Sequence, residues 1–253
     1  MLEALLRACS KNPDAVVATV DFVPASPLEE LRLAFPSLDE MVEGKRIIDF
    51  GCGEGHQAIE LAKLETQSVV GVDINPTLLN EARNRARAEG VGDRVEFRLP
   101  EELDPEHRGD LILSQHAMEH FSDPLAVLES MSTLLSDEGR AAITFSPPWL
   151  HPYGSHMHFF TPIPWVHLIF PERVVMNVRS RYRDDGATRY EEVEGGLNRM
   201  TLSRFESLVE ESPFEFEWLR HTSVRDLPVV SNLPWIREFL TTRVDCLLRI
   251  PPC

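Results

Sequence analysis

Two rhythms alternate along the middle of the chain. Short, almost wholly apolar runs predict strands buried on both faces: "RIIDF" (46–50), "SVVGVDI" (68–74), "RVEFRL" (94–99), "DLILSQ" (110–115) and "RAAITFS" (140–146). Between them apolar residues recur every three or four positions, the spacing of an amphipathic helix, in "HQAIELAKLE" (56–65), "PTLLNEARNRARAEG" (76–90) and "PLAVLESMSTLLSDEG" (124–139). Two of these open on Pro and close on Gly, as helices tend to. The rhythm resumes near Leu197 with a helix (197–212), a strand "FEFEWLRHTSV" (214–224), a Pro-bounded helix "PWIREFLTTR" (234–243) and a last strand "VDCLLRI" (244–250). Seven strands alternating with helices predict an α/β fold, a doubly wound and mostly parallel sheet covered on both faces.

Two segments fall outside this rhythm. Residues 1–43 read as a Pro-punctuated helical segment ("LEALLRACS", "SPLEELRLAF") ahead of a core at 44–146. Residues 147–196 interrupt the alternation before the sheet resumes over 197–253. This insertion holds all three tyrosines, two of the four tryptophans and four of the nine histidines. In doubly wound sheets, excursions from strand carboxyl ends lie over the ligand crevice, so the insertion is expected to cap the substrate side. Its aromatics Trp149, Tyr153, Phe159, Phe160 and Trp165 suit an apolar or planar ligand; a small satellite core or a dimer face explains them equally well. The "GSHM" at 154–157 resembles a cloning remnant, but such remnants sit at a terminus.

Composition narrows the class. The 253 residues suffice for one large domain, and 43% apolar content is that of a globular protein. A formal charge of −16 disfavours nucleic acid as a partner, because nonspecific affinity for it rests on Lys and Arg neutralising phosphates. Four scattered cysteines without paired spacing and no apolar leader point to a reducing cytoplasm. No apolar run approaches the length of about 18 residues that spans a bilayer.

The chemistry concentrates at two turns. "IIDFGCGEGHQ" sets Gly51, Gly53 and Gly55 between a strand and a helix, where bare backbone approaches a ligand and a helix N-terminus offers free N–H groups. The spacing is G-x-G-x-G, with bulky His56 where a dinucleotide fingerprint wants Gly or Ala, which weakens a pyrophosphate reading. Asp49 before the glycines suits an ammonium and repels a phosphate, and Asp73 at the end of the second strand suits a ribose diol. A nucleoside with a cationic amino-acid tail satisfies both.

These residues, with "VVGVDIN", "DLILSQHAMEHFSDP" and "LLSDEGRAAITF", resemble the successive motifs of class I S-adenosylmethionine-dependent methyltransferases, in the type 11-like group that includes ubiquinone-pathway and other small-molecule enzymes. The resemblance covers about Gly44 to Ser146 and implies a Rossmann-like seven-stranded sheet and S-adenosyl-L-methionine as donor. It further implies that Gly51, Gly53 and Gly55 wrap the methionine part and that Asp49 meets its amino group. Asp73 would hold the ribose hydroxyls, Ile74 would pack on the adenine, and Gln115 would border the methionine. Where the family places an acidic residue facing the adenine amine, this chain has "RLPEEL", with Leu99 at the aligned position and Glu101 as the substitute.

"HAMEH" follows the fourth strand, whose carboxyl end borders the crevice. As text it is also the inverted zinc-protease motif, but that motif needs a helix and here follows a buried strand and precedes Pro124. It resembles too the E-x-x-E-H set of metal-dependent methyltransferases, which makes His116, Glu119, His120, His151, His156 and His158 candidate ligands for a divalent metal; imidazole with one carboxylate suits zinc, iron or nickel. The bland reading is a packed or capping His120.

The expected function is methylation of a small-molecule acceptor, at oxygen, with a histidine base: His116 first, His120 or His156 after it. The alternatives are metal-assisted transfer, a polymer acceptor such as RNA or protein, and a binding protein without catalysis. A homodimer is compatible with the aromatic insertion.

Overall fold

The computed structural model describes residues 1–12, 26–104, 107–193, 195–223 and 234–252. Strands β1 (Arg46–Phe50), β2 (Ser68–Val72), β3 (Val95–Arg98), β4 (Gly109–Gln115), β5 (Leu135–Phe145), β6 (Glu215–Ser223) and β7 (Thr241–Arg249) form one seven-stranded sheet. Their order is β3-β2-β1-β4-β5-β7-β6. β1 to β5 pair in parallel, and β7 runs antiparallel between β5 and β6. Strand order reverses between β1 and β4, and the crevice at that switch point is where such sheets bind ligands.

The near-continuous apolar strands are explained by two cores, one per face. On one face Ile47, Val69, Phe97, Leu111 and Leu113 pack with Leu28, Leu31, Ile59, Leu61 and Leu79. On the other, Ile48, Ile112, Ile143 and Phe145 pack with Leu128, Met131, Phe205 and Val209. The helices contributing to these two cores are α2 (Pro27–Ala34), α3 (Leu38–Val42), α4 (His56–Lys63), α5 (Pro76–Ala88), α6 (Pro124–Thr133) and α9 (Leu202–Glu211). Local chemistry starts them: Asn75 Oδ1 accepts from the N–H groups of Thr77 and Leu78, Asp123 Oδ1 from Ala126, and Thr201 Oγ1 from Arg204.

Two expectations about element bounds change. The helix expected to reach Gly139 stops at Thr133, and Leu135 already pairs with Gly109 across a register shift in β5, so strand pairing overrides the helical period of "LLSDEG". The helix expected over 234–243 is α10 (Pro234–Leu240), and Thr241 to Arg243 belong to β7.

The described helices of the N-terminal segment pack in two places. Helices α2 and α3 pack on the sheet, whereas α1 (Leu2–Ala8) joins the insertion. There Leu6, fully buried, packs with Met157, Phe160, Val166, Phe170, Val175 and Tyr182 around α7 (Val166–Ile169) and α8 (Glu172–Arg179). Lys11 N–H donates to Phe160 O at 2.8 Å, and the Tyr182 hydroxyl donates to Lys11 O at 2.5 Å. The insertion thus builds a satellite core of its own. Phe160 is fully buried in it, Trp149 and Phe159 are partly buried against it, and Trp165 turns its Nε1–H onto Leu150 O. The "GSHM" stretch is integral to that core. A Cβ added at Gly154 would run into the carbonyls of Pro148 and Trp149.

Among the described residues no helix is long and apolar enough to cross a membrane.

Candidate active site

β1 delivers Asp49 into the sheet's carboxyl edge and breaks at Gly51, Gly53 and Gly55, all three in the left-handed region. Two of them are fixed by crowding. A Cβ on Gly51 would stand 2.6 Å from Ala117 Cβ, and one on Gly55 would stand 2.7 Å from both Ala82 and Phe97. Gly55 therefore makes the close helix packing that the sequence seemed to deny at His56. Gly53 is different: nothing lies within 4 Å of an added Cβ, so its bare backbone faces open space.

Gly53 N–H donates to Asp73 Oδ2 at 2.9 Å, and Asn75 N–H donates to Oδ1 at 2.9 Å. The Asp73 carboxylate is held by two backbone donors, yet each oxygen keeps a lone pair for a diol. Beside it Ile74 is 81% exposed, an isolated apolar side chain fit to lie against a planar ring. Glu101 sits exposed on the single 3-10 turn after β3, where neighbouring Glu102 is used to cap Leu99 N–H at 2.9 Å.

Asp49 is 2% exposed. Gln57 Nε2–H donates to its Oδ1 at 2.7 Å, while Oδ2 is buried without a hydrogen-bond partner. Burial pushes its carboxyl up to about 7, against the pull of the Gln57 hydrogen bond. An orphaned, desolvated acid oxygen calls for a cationic donor. This oxygen, the open Gly53 and the anchored Asp73 fit a ligand bearing an ammonium and a ribose.

A cavity of about 180 Å³ joins this side to the fourth strand, lined among others by Asp49, Gly51, Gln115, His116 and Glu30. Gln115 ends β4, and His116 follows in a left-handed conformation (φ 51) fixed by its N–H donating to Thr144 O at 2.9 Å. The imidazole meets Glu30 Oε1 through Nε2 at 2.7 Å and Ser146 Oγ through Nδ1 at 3.2 Å. Burial pulls the His116 imidazole down, but the hydrogen bond and charge of Glu30, with Glu119 behind, outweigh it and leave the ring raised. Glu30 is correspondingly lowered, first by the same hydrogen bond. Both directions describe an ion pair. A larger cavity of about 580 Å³ opens among β1 to β4. Part of its charged lining is already paired, as in Arg46 with Asp110 and Arg98 with Glu96, and it lies mostly among the opposite ends of the strands.

The rest of "HAMEH" is clasped by both ends of the insertion. Ser146 N–H donates to Glu119 Oε1 at 3.3 Å at the entry; at the exit Asn198 N–H donates to Glu119 O at 3.0 Å. Asn198 Nδ2 donates to both Met118 O and Phe121 O at 2.8 Å. Glu119 is 3% exposed, and burial raises its carboxyl. His120 Nδ1–H donates to Gly196 O at 2.6 Å, and its ring stands edge-on to His156 at 5.6 Å. Burial drives His156 down to about 4, which keeps it neutral and gives it little strength as a base.

Among the described residues no three His, Cys, Asp or Glu side chains converge to hold an ion, so the candidate metal ligands do not form a set. His151 accepts from Tyr153 N–H at 3.2 Å, and His158 stacks edge-on against Tyr153 at 4.7 Å. Glu30, Ser146 and Asn198 lay outside every motif, and Glu30 reaches His116 across 86 positions of sequence.

This sheet, with its glycine turn and acidic partners at the switch point, is the class I methyltransferase architecture. Residues 41–148 match a family model described as a methyltransferase domain. A ribosomal protein L11 methyltransferase from Tolumonas auensis is 35% identical over 109 residues, 43% of this chain and 35% of the relative. The chain spans about a third of the length of that curated relative. An S-adenosylmethionine-dependent methyltransferase from Mesorhizobium loti superposes with a TM-score of 0.55 at 18% identity, over 89% of this chain and 98% of that one. The [4+2]-cyclase SpnF reaches 0.57 at 15% identity, over 93% and 86%. Likeness at that level is one of fold, and the cyclase illustrates that the fold hosts other chemistry.

Proposed function

We propose that this chain transfers a methyl group from S-adenosylmethionine to a nucleophile held beside His116. The observation that carries the proposal is the shared cavity: Asp49, Gly51 and Gln115 border it on the donor side, and Glu30 and His116 on the other. Asp49 Oδ2 would receive the donor's ammonium, Gly51 and Gly53 would lie along its methionine part, and Asp73 would take the ribose hydroxyls. Ile74 would cover the adenine, with Glu101 near its amine. When bound, the donor supplies a methyl already activated as a sulfonium, so the protein contributes mainly placement and, for a hydroxyl acceptor, a base.

A small acceptor is favoured by the size of that cavity and by helix α2, whose Pro27 and Glu30 overhang it. Oxygen is the atom for which a histidine base is of most use. A second reading is a polypeptide acceptor. The charge of −16 suits a basic polypeptide and repels nucleic acid, and a relative carries the name of a ribosomal protein methyltransferase. The shared 109 residues are 43% of this chain and 35% of the relative, so the name weighs little on the acceptor.

Calorimetric titration with S-adenosylmethionine and with its demethylated product tests the donor assignment. We expect micromolar binding, weakened about 10–100-fold by Asp73→Ala as charge-assisted hydrogen bonds worth about 1.5–3 kcal/mol are lost. Absence of binding at millimolar donor would sink the reading. Labelled-methyl transfer into a small-metabolite fraction and into a protein fraction separates the two acceptor classes.

A further inference from the structure

We propose that Ser146, His116 and Glu30 form a proton relay in which the Ser146 hydroxyl takes the acceptor's proton and Glu30, acting through the ring, fixes the tautomer that makes this possible. The proposal rests on the methyl-transfer reading. It follows from a difficulty with His116 itself: both ring nitrogens are engaged, Nε2 with Glu30 Oε1 at 2.7 Å and Nδ1 with Ser146 Oγ at 3.2 Å. An imidazole so held has no free nitrogen for a substrate.

The hydrogen-bond inventory orders the chain of donors. An ionised carboxylate only accepts, so Nε2 carries the proton and donates to Glu30. In the neutral ring Nδ1 then presents a lone pair, and the Ser146 O–H donates to it. The serine oxygen keeps its own lone pairs for an incoming O–H. Ser146 directly follows β5, is partly exposed, and stands at the carboxyl edge of the sheet beside the end of β4. Three separate elements meet here, because Glu30 comes from α2 and is 86 positions from His116, and Ser146 is 30 positions from it. The other charged or titratable groups acting on the pair are Glu119 from the same loop, Arg243 from β7 and the neutral His156 from the insertion. Glu119 supports the charged ring and Arg243 opposes it.

The step balances as follows. The acceptor's O–H bond breaks as its oxygen bonds the methyl carbon; the carbon–sulfur bond breaks with its electron pair left on sulfur. The acceptor's proton passes to Ser146 Oγ while the serine's own proton passes to His116 Nδ1. One positive charge leaves the sulfonium and one appears on the imidazolium, where Glu30 lies against it. The ring returns its proton to solvent after the products leave. Glu30 is a positioning residue, and of the three only Ser146 takes the acceptor's proton.

Nitrogen-15 NMR of the imidazoles tests the relay without knowledge of the acceptor. In the wild-type protein the ring is expected as the Nε2–H tautomer above the titration of His116 and as the doubly protonated imidazolium below it. Glu30→Gln should lower the His116 pKa by about one unit and mix the tautomers, and Glu30→Asp should restore most of both. The pH profile of labelled-methyl transfer into a small-metabolite extract supplies the readout that a merely structural ion pair would not move. Its rising limb should shift down in Glu30→Gln by the same amount as the NMR pKa. Ser146→Ala should keep the midpoint while lowering turnover about 100-fold, the lower end of what a positioned proton acceptor contributes. A neutral ring protonated at Nδ1, or full turnover in Ser146→Ala, would overturn the relay. Loss of donor binding in the wild-type protein would instead defeat the methyl-transfer reading, and the two failures are read from separate measurements.

Discussion

Gln57 Nε2 holds Asp49 Oδ1 at 2.7 Å, and the other oxygen of the same buried carboxyl has no hydrogen-bond partner. A helix side chain thus orients half of the acid and leaves half for a ligand. With its carboxyl at about 7, Asp49 is largely protonated in slightly acidic solution. An ammonium placed on Oδ2 favours the ionised form and lowers that value, so binding expels a proton wherever Asp49 was protonated. Donor affinity should therefore rise about tenfold per unit as pH climbs from 5 towards 7, and flatten above. Calorimetry in two buffers of different ionisation enthalpy counts the proton released. A dissociation constant independent of pH across that range would remove Asp49 from the ammonium site.

The same acid works against the fold when no ligand is bound. Its folded value of about 7 lies above the ordinary 3.8, so the unfolded chain holds fewer protons between those limits and stability falls as pH rises through them. His156 and His221, both driven down to about 4 chiefly by burial, act in the opposite sense: stability is full above 6.5 and is lost as pH falls towards 4. The opposing slopes flatten the wild-type profile in mildly acidic solution. Asp49→Asn keeps the acceptor for Gln57 and removes the charge. It should raise stability at pH 8 by an amount on the order of a few kcal/mol, steepen the acid limb and abolish tight donor binding. Thermal melts from pH 5 to 8 check all three; a variant less stable than wild type at pH 8 contradicts the assignment.

Gly53 and Gly55 share a left-handed backbone but should fail differently on substitution. An alanine at Gly55 meets Ala82 and Phe97 at 2.7 Å, where α4 crosses α5 and β3, so overpacking of about 1–3 kcal/mol adds to a backbone cost of about 1 kcal/mol. At Gly53 the added methyl meets nothing, so only the backbone cost applies, and the methyl occupies ligand space. Gly55→Ala is expected to melt well below wild type while retaining part of its donor affinity. Gly53→Ala should melt within a few degrees of wild type with donor affinity reduced at least tenfold. Melting curves and donor titration of the pair decide it.

How much of this was legible in the sequence follows from distance along the chain. Asp49, the three glycines and Asp73 belong to consecutive strands and turns, and the roles proposed for them depend on local backbone geometry that residue type and spacing encode. Glu30, Ser146 and Asn198 reach the HAMEH loop only after the sheet is assembled, and no spacing pattern links them. "LLSDEG" kept a helical period yet joined β5, because pairing with β4 outweighed local propensity. The insertion's aromatics were visible as a cluster, but which way they face was not. Leu6, fully buried among them, supplies the answer from a helix that gave no hint of its partner.

Leu6 therefore offers a test of how the insertion is held. It joins α1 to Met157, Phe160 and Val175, and three hydrogen bonds at Lys11, including Nζ donating to His158 O at 3.1 Å, tie the N-terminal residues further to this satellite core. Leu6→Ala should cost about 2–5 kcal/mol locally, since a buried leucine leaves both its transfer energy and a cavity behind. The main sheet has cores of its own on both faces and is not expected to share the loss. Hydrogen exchange should accelerate across α1, α7 and α8 while the amides of β1, β4 and β5 keep their protection. Because Gly196 and Asn198 at the insertion's exit hold His120 and the loop around Glu119, the amides of residues 117–121 should exchange faster too. Uniform loss of protection across the sheet would mean that the insertion and the sheet unfold as one unit, and that α1 is part of the main core after all.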